Sequence, residues 1–361
     1  MNTATQKKQL IYIDNTQTDP HYNLAFEEYV FRNLPALAAP AEAEADTPVL
    51  LLWQNSPSVI VGKYQNTIEE IDLEYVEQQG IHVVRRNTGG GAVYHDLGNL
   101  NYSFIIPDAQ TKVDFKTFTT PIVRALRAYG IRAEQTGRND LVVDGRKFSG
   151  NAQQFSKRRL LHHGTIMFDV DADAVAKALR VKPGKFKSKA TKSVRSRVTN
   201  LKPYFDELTR SIGNRCYVEA PKNAAELKNL LLDWFRREYD VIDLALTEEQ
   251  LAEIETLKAQ KYDTEEWNIG KSPKADVVCG EHFRCGYVEF NFTIEGYKVK
   301  KLDLRGDFFP SRDIGEFEAA FEGCVYTPEA LRKVLEGADL ESYLGDVTAE
   351  ELLKLITGER Y

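Results

Sequence analysis

The chain has 361 residues, of which 42% are hydrophobic, 11% aromatic and 28% charged, and its formal net charge is −7 at pH 7. This composition is typical of a globular protein with one large domain and a smaller one, or with two domains of similar size. The acidity argues against a general nucleic-acid binder, and no apolar run reaches the roughly 18 residues that a membrane span needs. Four cysteines are too few for a disulfide framework, and the first residues lack the apolar core of a secretory signal. We therefore predict a cytoplasmic protein with reduced thiols.

The N-terminal part alternates strand and helix signals. "IYID" predicts a strand, and Asp19-Pro20 opens an amphipathic helix, "HYNLAFEEYVFRN", with Asp19 at the N-cap. "VLLLWQ" and "SVIVG" predict two further strands. "IEEIDLEYVEQQG" predicts one helix closed by Gly80, and the strand "IHVVRR" then runs directly into three glycines.

The second half continues as a mixed chain. A strand, "NLNYSFII", and a helix, "DFKTFTTPIVRALRAYG", precede a hairpin that we place at Asp144-Gly145. The strand "LHHGTIMFDV" and a short helix follow, and two longer helices lie around "AELKNLLLDWFRREY" and "TEEQLAEIETLKAQ". A break with Gly270 and Pro273 precedes a second hairpin, "YVEFNFTIEGYKVKKLDL", and two or three helices. The pattern predicts an α+β protein of two domains.

The stretch "RRNTGGGAVYHD", from Arg85 to Asp96, is the clearest candidate site. Consecutive glycines are poor in strands and helices, but their backbone N–H groups can surround an oxyanion because no Cβ blocks its approach. A guanidinium beside them suits phosphate or carboxylate. Because neighbouring strand residues point to opposite faces, only one of Arg85 and Arg86 should face the glycines. An anion-binding loop and a structural turn both fit these residues alone.

Residues 180–197 hold eight basic residues and no acidic one. On an acidic protein, such a segment is typical of a local anion contact or of a solvated loop.

Four blocks together resemble the lipoate–protein ligase A family: "RRNTGGGAVYHDLGNLNYSF", "GRNDLVVDGRKFSGNAQ", "HHGTIMFDVD" and "KSVRSRVTNL". "YNLAFEE" and "WNIGKSP" fit the same family. The resemblance implies a large mixed α/β catalytic domain of the biotin/lipoate ligase type, over residues 1–268. It also implies a small α+β C-terminal accessory domain, over residues 275–361.

The resemblance implies a two-step reaction. Lipoate and ATP give lipoyl-AMP and pyrophosphate, and the lipoyl group then passes to a lysine of a lipoyl domain. The implied acceptors are the apo lipoyl domains of 2-oxoacid dehydrogenase complexes and the glycine-cleavage H protein, with no nucleic acid or membrane as partner. Attack of a carboxylate on the α-phosphate brings anions together, so fixed cations and amide donors should lower the barrier.

The resemblance also implies the site residues. Lys147 is the catalytic lysine, in contact with the lipoyl carbonyl and the α-phosphate, where a compact ammonium suits the bridging position. The residues expected to bind ATP or lipoyl-AMP are Arg86, Thr88, Gly89, Gly90, Gly91, Ala92, Val93, Tyr94, Asn139, Asp140, Lys147, Gly150 and His163.

Asp140 is the candidate ligand for Mg²⁺, which prefers oxygen. His163 fits either a role in contact with the ligand or a structural role. We assign structural roles to His95 and Asp96. The basic segment corresponds to one that closes over the adenylate, where Lys182, Lys185 and Lys187 would shield the phosphate.

Two positions depart from the family pattern. Asn87-Thr88 replaces the usual residues before the glycines but keeps hydrogen-bonding groups. Gln153-Gln154 stands where some members have an arginine, which puts an adenine-side contact in doubt.

Three alternatives remain open. A lipoyl or octanoyl transferase of the same fold would use a pre-activated acyl donor, either through a nucleophilic cysteine or from lipoyl-AMP made elsewhere. The cysteine form is disfavoured because Cys216, the first cysteine, follows all four blocks. A nucleotide- or nucleic-acid-binding regulator rests only on the basic segment.

Overall fold

The computed structural model describes residues 7–34, 43–44, 46–109, 114–137, 139–179, 198–212, 219–269, 277–295 and 298–358. Three predictions fall outside these residues: the closing role of the basic segment 180–197, the break at Gly270 and Pro273, and the surroundings of Cys216.

The described strands and helices alternate along the chain. The strands are β1 (Gln9–Tyr12), β2 (Val49–Trp53), β3 (Ser58–Val61), β4 (His82–Arg85), β5 (Val93–His95), β6 (Asn99–Ile106), β7 (Ala133–Thr136), β8 (Asp140–Val143), β9 (Arg146–Ser156), β10 (Arg159–Met167), β11 (Asp240–Asp243), β12 (Val277–Phe283), β13 (Gly286–Glu295) and β14 (Lys298–Gly306).

The helices are α1 (Pro20–Asn33), α2 (Thr67–Glu70), α3 (Leu73–Gln78), α4 (Phe115–Ala128), α5 (Ala172–Ala178), α6 (Lys202–Ile212), α7 (Ala224–Glu238), α8 (Glu248–Leu257), α9 (Glu265–Asn268), α10 (Ile314–Ala319), α11 (Pro328–Gly337), α12 (Leu340–Tyr343) and α13 (Ala349–Thr357). A π-helical turn, Lys258–Tyr262, joins α8 to α9.

The main sheet has eight strands in the order β11-β1-β2-β6-β10-β9-β8-β7. β1 is parallel to both of its neighbours, and the remaining pairs are antiparallel. A small sheet, β4-β3-β5, carries the glycine stretch between β4 and β5, and β12-β13-β14 form a third sheet.

Both faces of the main sheet are covered, which explains why β2 reads as an unbroken apolar run. Leu50 and Leu52 point to one face and pack in a core that includes α4 and α7, while Leu51 and Trp53 point to the other and pack with α1. α1 starts as predicted, because the Asp19 carboxylate accepts from the His21 N–H and Pro20 occupies the first turn. The site described below lies on the α1 side.

The third sheet and helices α10 to α13 share a separate core, which includes Phe290, Phe292, Phe317 and Phe321. The predicted second hairpin is β13–β14. Four helices follow it within the described residues, one more than the upper limit of the prediction.

One predicted helix is broken. Residues 68–80 were predicted as continuous, but α2 and α3 are separated at Ile71, which is extended and buried and bridges to Leu179. Asp72 then caps α3 by accepting from the Tyr75 N–H at 3.1 Å. Pairing with the chain after α5 overrides the local helical pattern.

The Asp144-Gly145 hairpin is confirmed. Both residues have positive φ, 48° and 73°, as a two-residue turn of this kind requires. The turn joins β8 to β9 and places Asp140 and Lys147 on neighbouring strands.

Candidate functional site

A cavity of about 170 Å³ lies between the main sheet and the glycine stretch. Its lining includes the apolar side chains of Leu24, Trp53 and Ile60 and the polar side chains of Asn139 and Lys147. Trp53 on β2 and Lys147 on β9 are three strands apart in the main sheet, so the cavity extends across the sheet between them. Such a shape suits a ligand with an apolar tail and a charged head.

Arg86 lies beneath the glycine loop and is buried. Its Nη2 donates to the carbonyl oxygens of Gly89 and Gly91 at 2.7 and 2.8 Å, and its Nη1 donates to the Ile60 carbonyl. Burial lowers the pKa of Arg86 to about 10, so the guanidinium keeps its charge at neutral pH. Arg86 therefore fixes the loop and places a positive charge at the cavity wall.

Arg85 points away from the glycines, which confirms that only one arginine of the pair faces them. Its Nη1 donates to the carbonyl oxygens of Gly62, Lys63 and Gln65 at 2.9, 3.1 and 2.7 Å. Its Nε donates to the Trp267 carbonyl at 2.9 Å. Arg85 thus ties the glycine stretch to the chain around α9.

A buried hydrogen-bond chain connects Arg86 to α1. Arg86 Nε donates to Thr88 Oγ1 at 2.9 Å, and Thr88 Oγ1 lies 2.8 Å from His163 Nε2. His163 Nδ1 lies 3.0 Å from both carboxylate oxygens of Glu27, which also accepts from Ser103 Oγ at 2.5 Å. The chain has a cation at one end and an anion at the other, so it fixes the His163 ring at the cavity wall.

Lys147 lines the cavity and forms an ion pair with Asp140. Lys147 Nζ lies 2.7 Å from Asp140 Oδ1, and the two side chains are 39% and 35% exposed. A Cβ at Gly150 would lie 3.1 Å from Lys147 Nζ, so glycine leaves room for the lysine to cross its own strand. A half-exposed ammonium beside an open cavity can meet an incoming anion.

Asn139 is held by its backbone and side chain. Its Nδ2 donates to the Asn151 carbonyl, and its carbonyl accepts from Asn151 Nδ2, both at 2.9 Å. The same Asn151 side chain accepts from the Tyr102 hydroxyl. These hydrogen bonds attach the cavity wall beside Lys147 to Tyr102 on the buried strand β6.

His162 and Gln153 lie on the opposite face of the sheet from His163. Gln153 Nε2 and His162 Nδ1 are 3.0 Å apart, and the imidazole stacks on Phe118 with ring centroids 4.9 Å apart. Burial lowers the pKa of His162 well below its usual value, so the ring is neutral.

His95 and Asp96 differ in their contacts and in their position relative to the cavity. The Asp96 carboxylate accepts from the Gly98 and Asp171 N–H groups at 2.8 and 2.9 Å, which gives it the predicted structural role. His95 lies within hydrogen-bonding distance of Asn55 but also lines the cavity. Burial, and secondarily Arg86, lowers the pKa of His95 to about 3.

The C-terminal part contacts the glycine loop directly. A Cβ at Gly89 would fall on the Phe308 carbonyl oxygen, and one at Gly90 would lie 2.6 Å from the Phe309 ring. Phe309 also lines the cavity, and Phe308 stacks on Tyr64 with ring centroids 5.2 Å apart. The C-terminal part therefore supplies part of the cavity wall.

Most of the residues expected to bind ATP or lipoyl-AMP meet at this cavity. Those that line it are Arg86, Gly90, Gly91, Ala92, Val93, Asn139, Lys147, Gly150 and His163. Thr88 and Asp140 support lining residues, and Gly89 faces a neighbouring cleft. The Tyr94 side chain is half-buried in the small sheet, where β5 pairs with β3.

Several residues of this site are not predicted from the sequence. Glu27 belongs to the quoted "YNLAFEE" stretch, which could have indicated it, because a Glu on the buried face of an amphipathic helix needs a partner. Asn101 and Trp53 sit on predicted strands, but a strand pattern alone does not reveal which face meets a cavity. Phe309 is separated from the other lining residues by more than a hundred positions, and no local signal links it to them.

Three cysteines are described, and none of these three forms a disulfide bond. Burial raises the pKa of Cys279 to about 11 and also raises that of Cys324, while Cys285 is buried in the C-terminal core. Among the described residues, no cysteine lines the cavity and no group of three His, Cys, Asp or Glu side chains is placed to hold a metal ion. Nor does any described helix have the length and apolar character needed to cross a membrane.

Comparison with known proteins identifies the family. The family described as "Lipoyl protein ligase A/B catalytic domain" matches residues 19–214, and "Bacterial lipoate protein ligase C-terminus" matches residues 272–356. Lipoate–protein ligase 1 of Staphylococcus aureus is 41% identical over 345 residues, which cover 95% of this chain and 98% of that protein.

Solved structures are also similar to this chain, and three of them are described here. The first is a complex of P. falciparum LipL1 with lipoate, with a TM-score of 0.76 and 25% identity over 97% of this chain and 100% of that one. The second is a bipartite lipoate protein ligase with its E2 lipoyl domain from Thermoplasma acidophilum. Its TM-score is 0.58, with 30% identity over 76% of this chain and 100% of that one. The third is a lipoate-protein ligase A bound with ATP. Its TM-score is 0.55, with 28% identity over 74% of this chain and 99% of that one.

These similarities confirm the predicted fold class, a mixed catalytic domain of the biotin/lipoate ligase type with a C-terminal domain, and the predicted ligase activity. They do not favour the transferase alternative. The chain belongs to the family of lipoate–protein ligases, ATP-dependent enzymes that join lipoate to proteins.

Proposed function

We propose that this chain activates lipoate with ATP in the described cavity and transfers the lipoyl group to a lysine of apo lipoyl domains. The observation that carries this proposal is the cavity itself, which is apolar at Leu24, Trp53 and Ile60 and ends at the half-exposed Lys147. The apolar end fits an acyl tail, and the ammonium lies where a carboxylate and a phosphate would meet. Similar proteins bound to lipoate and to ATP support both substrates.

In the first step, a carboxylate oxygen of lipoate attacks the α-phosphorus of ATP. An O–P bond forms to the acyl oxygen, the bond to the bridging oxygen breaks, and pyrophosphate leaves. Lys147 would contact the acyl oxygen and the α-phosphate, where its charge stabilises the added negative charge of the transition state. Arg86 would act through the loop, because its donors already hold the Gly89 and Gly91 carbonyls.

In the second step, the ε-amine of an acceptor lysine attacks the acyl carbon. The amide bond forms, AMP leaves with the electron pair of the broken C–O bond, and the amine loses a proton. Lys147 would again neutralise the phosphate as AMP departs.

Mg²⁺ would enter with the nucleotide. Asp140 is a half-exposed carboxylate beside the polar end, and carboxylate oxygen is a ligand that Mg²⁺ accepts. A single protein carboxylate with the phosphates of the substrate suits an ion that keeps several waters.

The acceptors we propose are the lipoyl domains of 2-oxoacid dehydrogenase complexes and the glycine-cleavage H protein. A similar ligase was solved with its E2 lipoyl domain, which supports the first class. The absence of disulfide bonds among the three described cysteines and the use of ATP support a cytoplasmic reaction. We also propose a catalytic domain over residues 1–268 and an accessory domain over residues 275–361, which the separate C-terminal core supports.

The test is a reconstitution with purified protein, ATP, Mg²⁺, lipoate and an apo lipoyl domain. We expect lipoate-dependent exchange of pyrophosphate into ATP and a lipoyl mass increase on the acceptor. A matched reaction supplies an acyl carrier protein donor and no ATP. Modification only in that matched reaction would contradict the proposal.

A further inference from the structure

The chain between the two matched family ranges contacts the glycine stretch. This part includes the π-helical turn Lys258–Tyr262 and helix α9, and neither lies within a matched range. Trp267 Nε1 donates to the Arg85 carbonyl at 2.8 Å, and the Arg85 N–H donates to Asn268 Oδ1 at 3.0 Å. Because β4 is an edge strand of the small sheet, these bonds pair backbone groups on its outer side. The connecting part is therefore attached to β4 just before the glycines.

The side chain of Asn87, which directly precedes Thr88 and the glycines, is held by the same part. Its Oδ1 accepts from Lys261 Nζ at 2.7 Å, and its Nδ2 donates to the Tyr262 hydroxyl at 2.7 Å. Because an ammonium only donates, the amide oxygen must be the atom that faces Lys261. Both partners also donate to Glu28 Oε2 on α1, Lys261 at 2.8 Å and Tyr262 at 2.6 Å. We call these four side chains the Asn87 network.

The Asn87 network is shielded from water. Glu28 and Tyr262 are only 4% and 0% exposed, and Lys261 Nζ lies 3.8 Å from the centroid of the Trp267 ring. A buried charge is unfavourable unless its partner is in place, so the ion pair favours one arrangement of the surrounding groups. Buried polar networks whose members are paired are rigid. The network therefore holds Asn87 in one position.

Two neighbouring glutamates of α1 thus hold the two residues that precede the glycines. Glu27 holds Thr88 through His163, and Glu28 holds Asn87 through the Asn87 network. The first connection runs to the main sheet, whereas the second runs to the π-helical turn. Such turns are rare and are frequent at functional sites.

We propose that Lys261 and Tyr262 are positioning residues for the nucleotide. Through Asn87 they fix the backbone that enters Gly89, so that the N–H groups of the glycine loop are already placed for the ATP phosphates. The inference rests on the proposed function. The described lining of the cavity includes neither residue, so each acts through Asn87 and not by contact with a substrate. A loop that is ordered only on binding lowers the affinity, because its ordering opposes the binding free energy.

The test measures pyrophosphate exchange with ATP and lipoate in variants of the full chain. Lys261→Met keeps an unbranched side chain of similar length but removes the donor to Asn87. Tyr262→Phe removes only the hydroxyl. Lys258→Met is the matched control, because this lysine belongs to the same turn but pairs with carboxylates outside the Asn87 network, those of Asp19 and Asp263.

A double variant separates positioning from stability. Lys261→Met alone leaves the buried Glu28 carboxylate with one partner fewer, which should lower the melting temperature. Glu28→Gln combined with Lys261→Met removes both charges of the pair and should recover much of that loss. The double variant still lacks the ammonium from which Asn87 accepts.

We expect the KM for ATP to rise about fivefold in Lys261→Met, in Tyr262→Phe and in the double variant, a loss typical of one hydrogen bond. The KM for lipoate should change less than about twofold, because the inference concerns the placement of the glycine loop for the nucleotide. Lys258→Met should keep the native KM for both substrates.

A native KM for ATP in both Lys261→Met and Tyr262→Phe would overturn the inference and leave the proposed function intact. The inference would also be wrong if the KM values for both substrates rise together and the double variant restores them with the melting temperature, since that result indicates a general loss of structure. Absence of ATP-dependent exchange in the native protein would overturn the proposed function and the inference with it.

Discussion

The two ends of the site are built differently. At the glycine loop, Arg86 and Thr88 are buried and bonded to backbone carbonyls, to each other and to His163. At the hairpin, Lys147 and Asp140 form a half-exposed ion pair. Buried groups with fixed partners hold a shape, whereas a charge in partial contact with water remains available to a ligand. The difference indicates that the loop shapes the cavity and that the hairpin supplies the chemistry.

The largest effect should come from Lys147→Ala. Removing the charge at the α-phosphate should lower adenylate formation by roughly a hundredfold to a thousandfold, the loss of about 3 to 4 kcal/mol of transition-state stabilisation. Stability should hardly change, because half-exposed ion pairs contribute about 1 kcal/mol or less. Pyrophosphate exchange and transfer from supplied lipoyl-AMP should be measured separately.

The matched control is Arg146→Ala, which removes an exposed cation from the adjacent position of the same strand. Its rate should stay near that of the native protein. If Lys147→Ala is equally active in both half-reactions, the hairpin does not supply the chemistry and the assignment of Lys147 is wrong.

The next largest effect is expected at Gly91, where a larger side chain should impair the use of the substrates without impairing folding. A Cβ at Gly91 meets no described heavy atom within 4 Å, and the residue lines the cavity. We expect Gly91→Val to fold normally and to lower the use of ATP and lipoate about tenfold or more, because the side chain occupies ligand space. Its KM values and its melting temperature are the measurements.

Gly90→Ala provides the contrast. Gly90 has φ of 90°, and a Cβ there would lie 2.6 Å from the Phe309 ring. A side chain at this φ costs about 1 to 3 kcal/mol before the contact with Phe309 is counted. A lower melting temperature for Gly91→Val than for Gly90→Ala would reverse the roles that we give to the two glycines.

Local signals were enough to predict much of this arrangement. Asp19-Pro20 and Asp144-Gly145 act through their immediate neighbours, so the start of α1 and the β8–β9 turn could be predicted from the residues themselves. The break at Ile71 could not, because it depends on a bridge to Leu179, more than a hundred positions away.

The same division holds for the site. Most of the residues expected to bind the nucleotide came from two short blocks, and nine of them line one cavity. Asn101 and Phe309 line it from β6 and the C-terminal part, and Glu27 on α1 contacts the lining residue His163. Only the tertiary packing of those elements brings them together. The individual roles of the lining residues remain predictions.

A smaller effect is expected at the metal. Asp140→Asn keeps the size of the side chain but removes the carboxylate beside Lys147. If Asp140 binds Mg²⁺, the Mg²⁺ concentration needed for half-maximal pyrophosphate exchange should rise about fivefold to tenfold, since a neutral amide is a weaker ligand. An unchanged Mg²⁺ requirement would limit Asp140 to holding Lys147.

The smallest effect concerns the buried end and its response to acid. The pKa of His95 is about 3 in the folded protein and 6.5 in an ordinary environment. Between these values the unfolded chain binds a proton that the folded protein excludes, so His95 lowers stability as the pH falls below 6.5. From pH 7.5 to pH 5.5 this amounts to about 1.4 kcal/mol for one such histidine.

Other groups also respond to acid in this window. Burial lowers the pKa of His162 well below its usual value and also lowers that of His82, so both destabilise the folded protein in the same range as His95. Burial raises the pKa of Glu318 to about 7, so its protonation stabilises the folded protein as the pH falls through the same range. Burial opposes ionisation of Glu28, but Lys261 lowers its pKa overall, and that stabilisation is lost only below the ordinary glutamate pKa of 4.5. Comparing the native protein with His95→Asn removes the contributions of His82, His162 and Glu318, which both proteins share, and staying above pH 5.5 avoids that of Glu28. Urea unfolding at the two pH values should show the variant losing about 1.4 kcal/mol less than the native protein. An equal loss in both would mean that His95 is accessible to protons, and that the buried end is not the closed, fixed region that its hydrogen bonds describe.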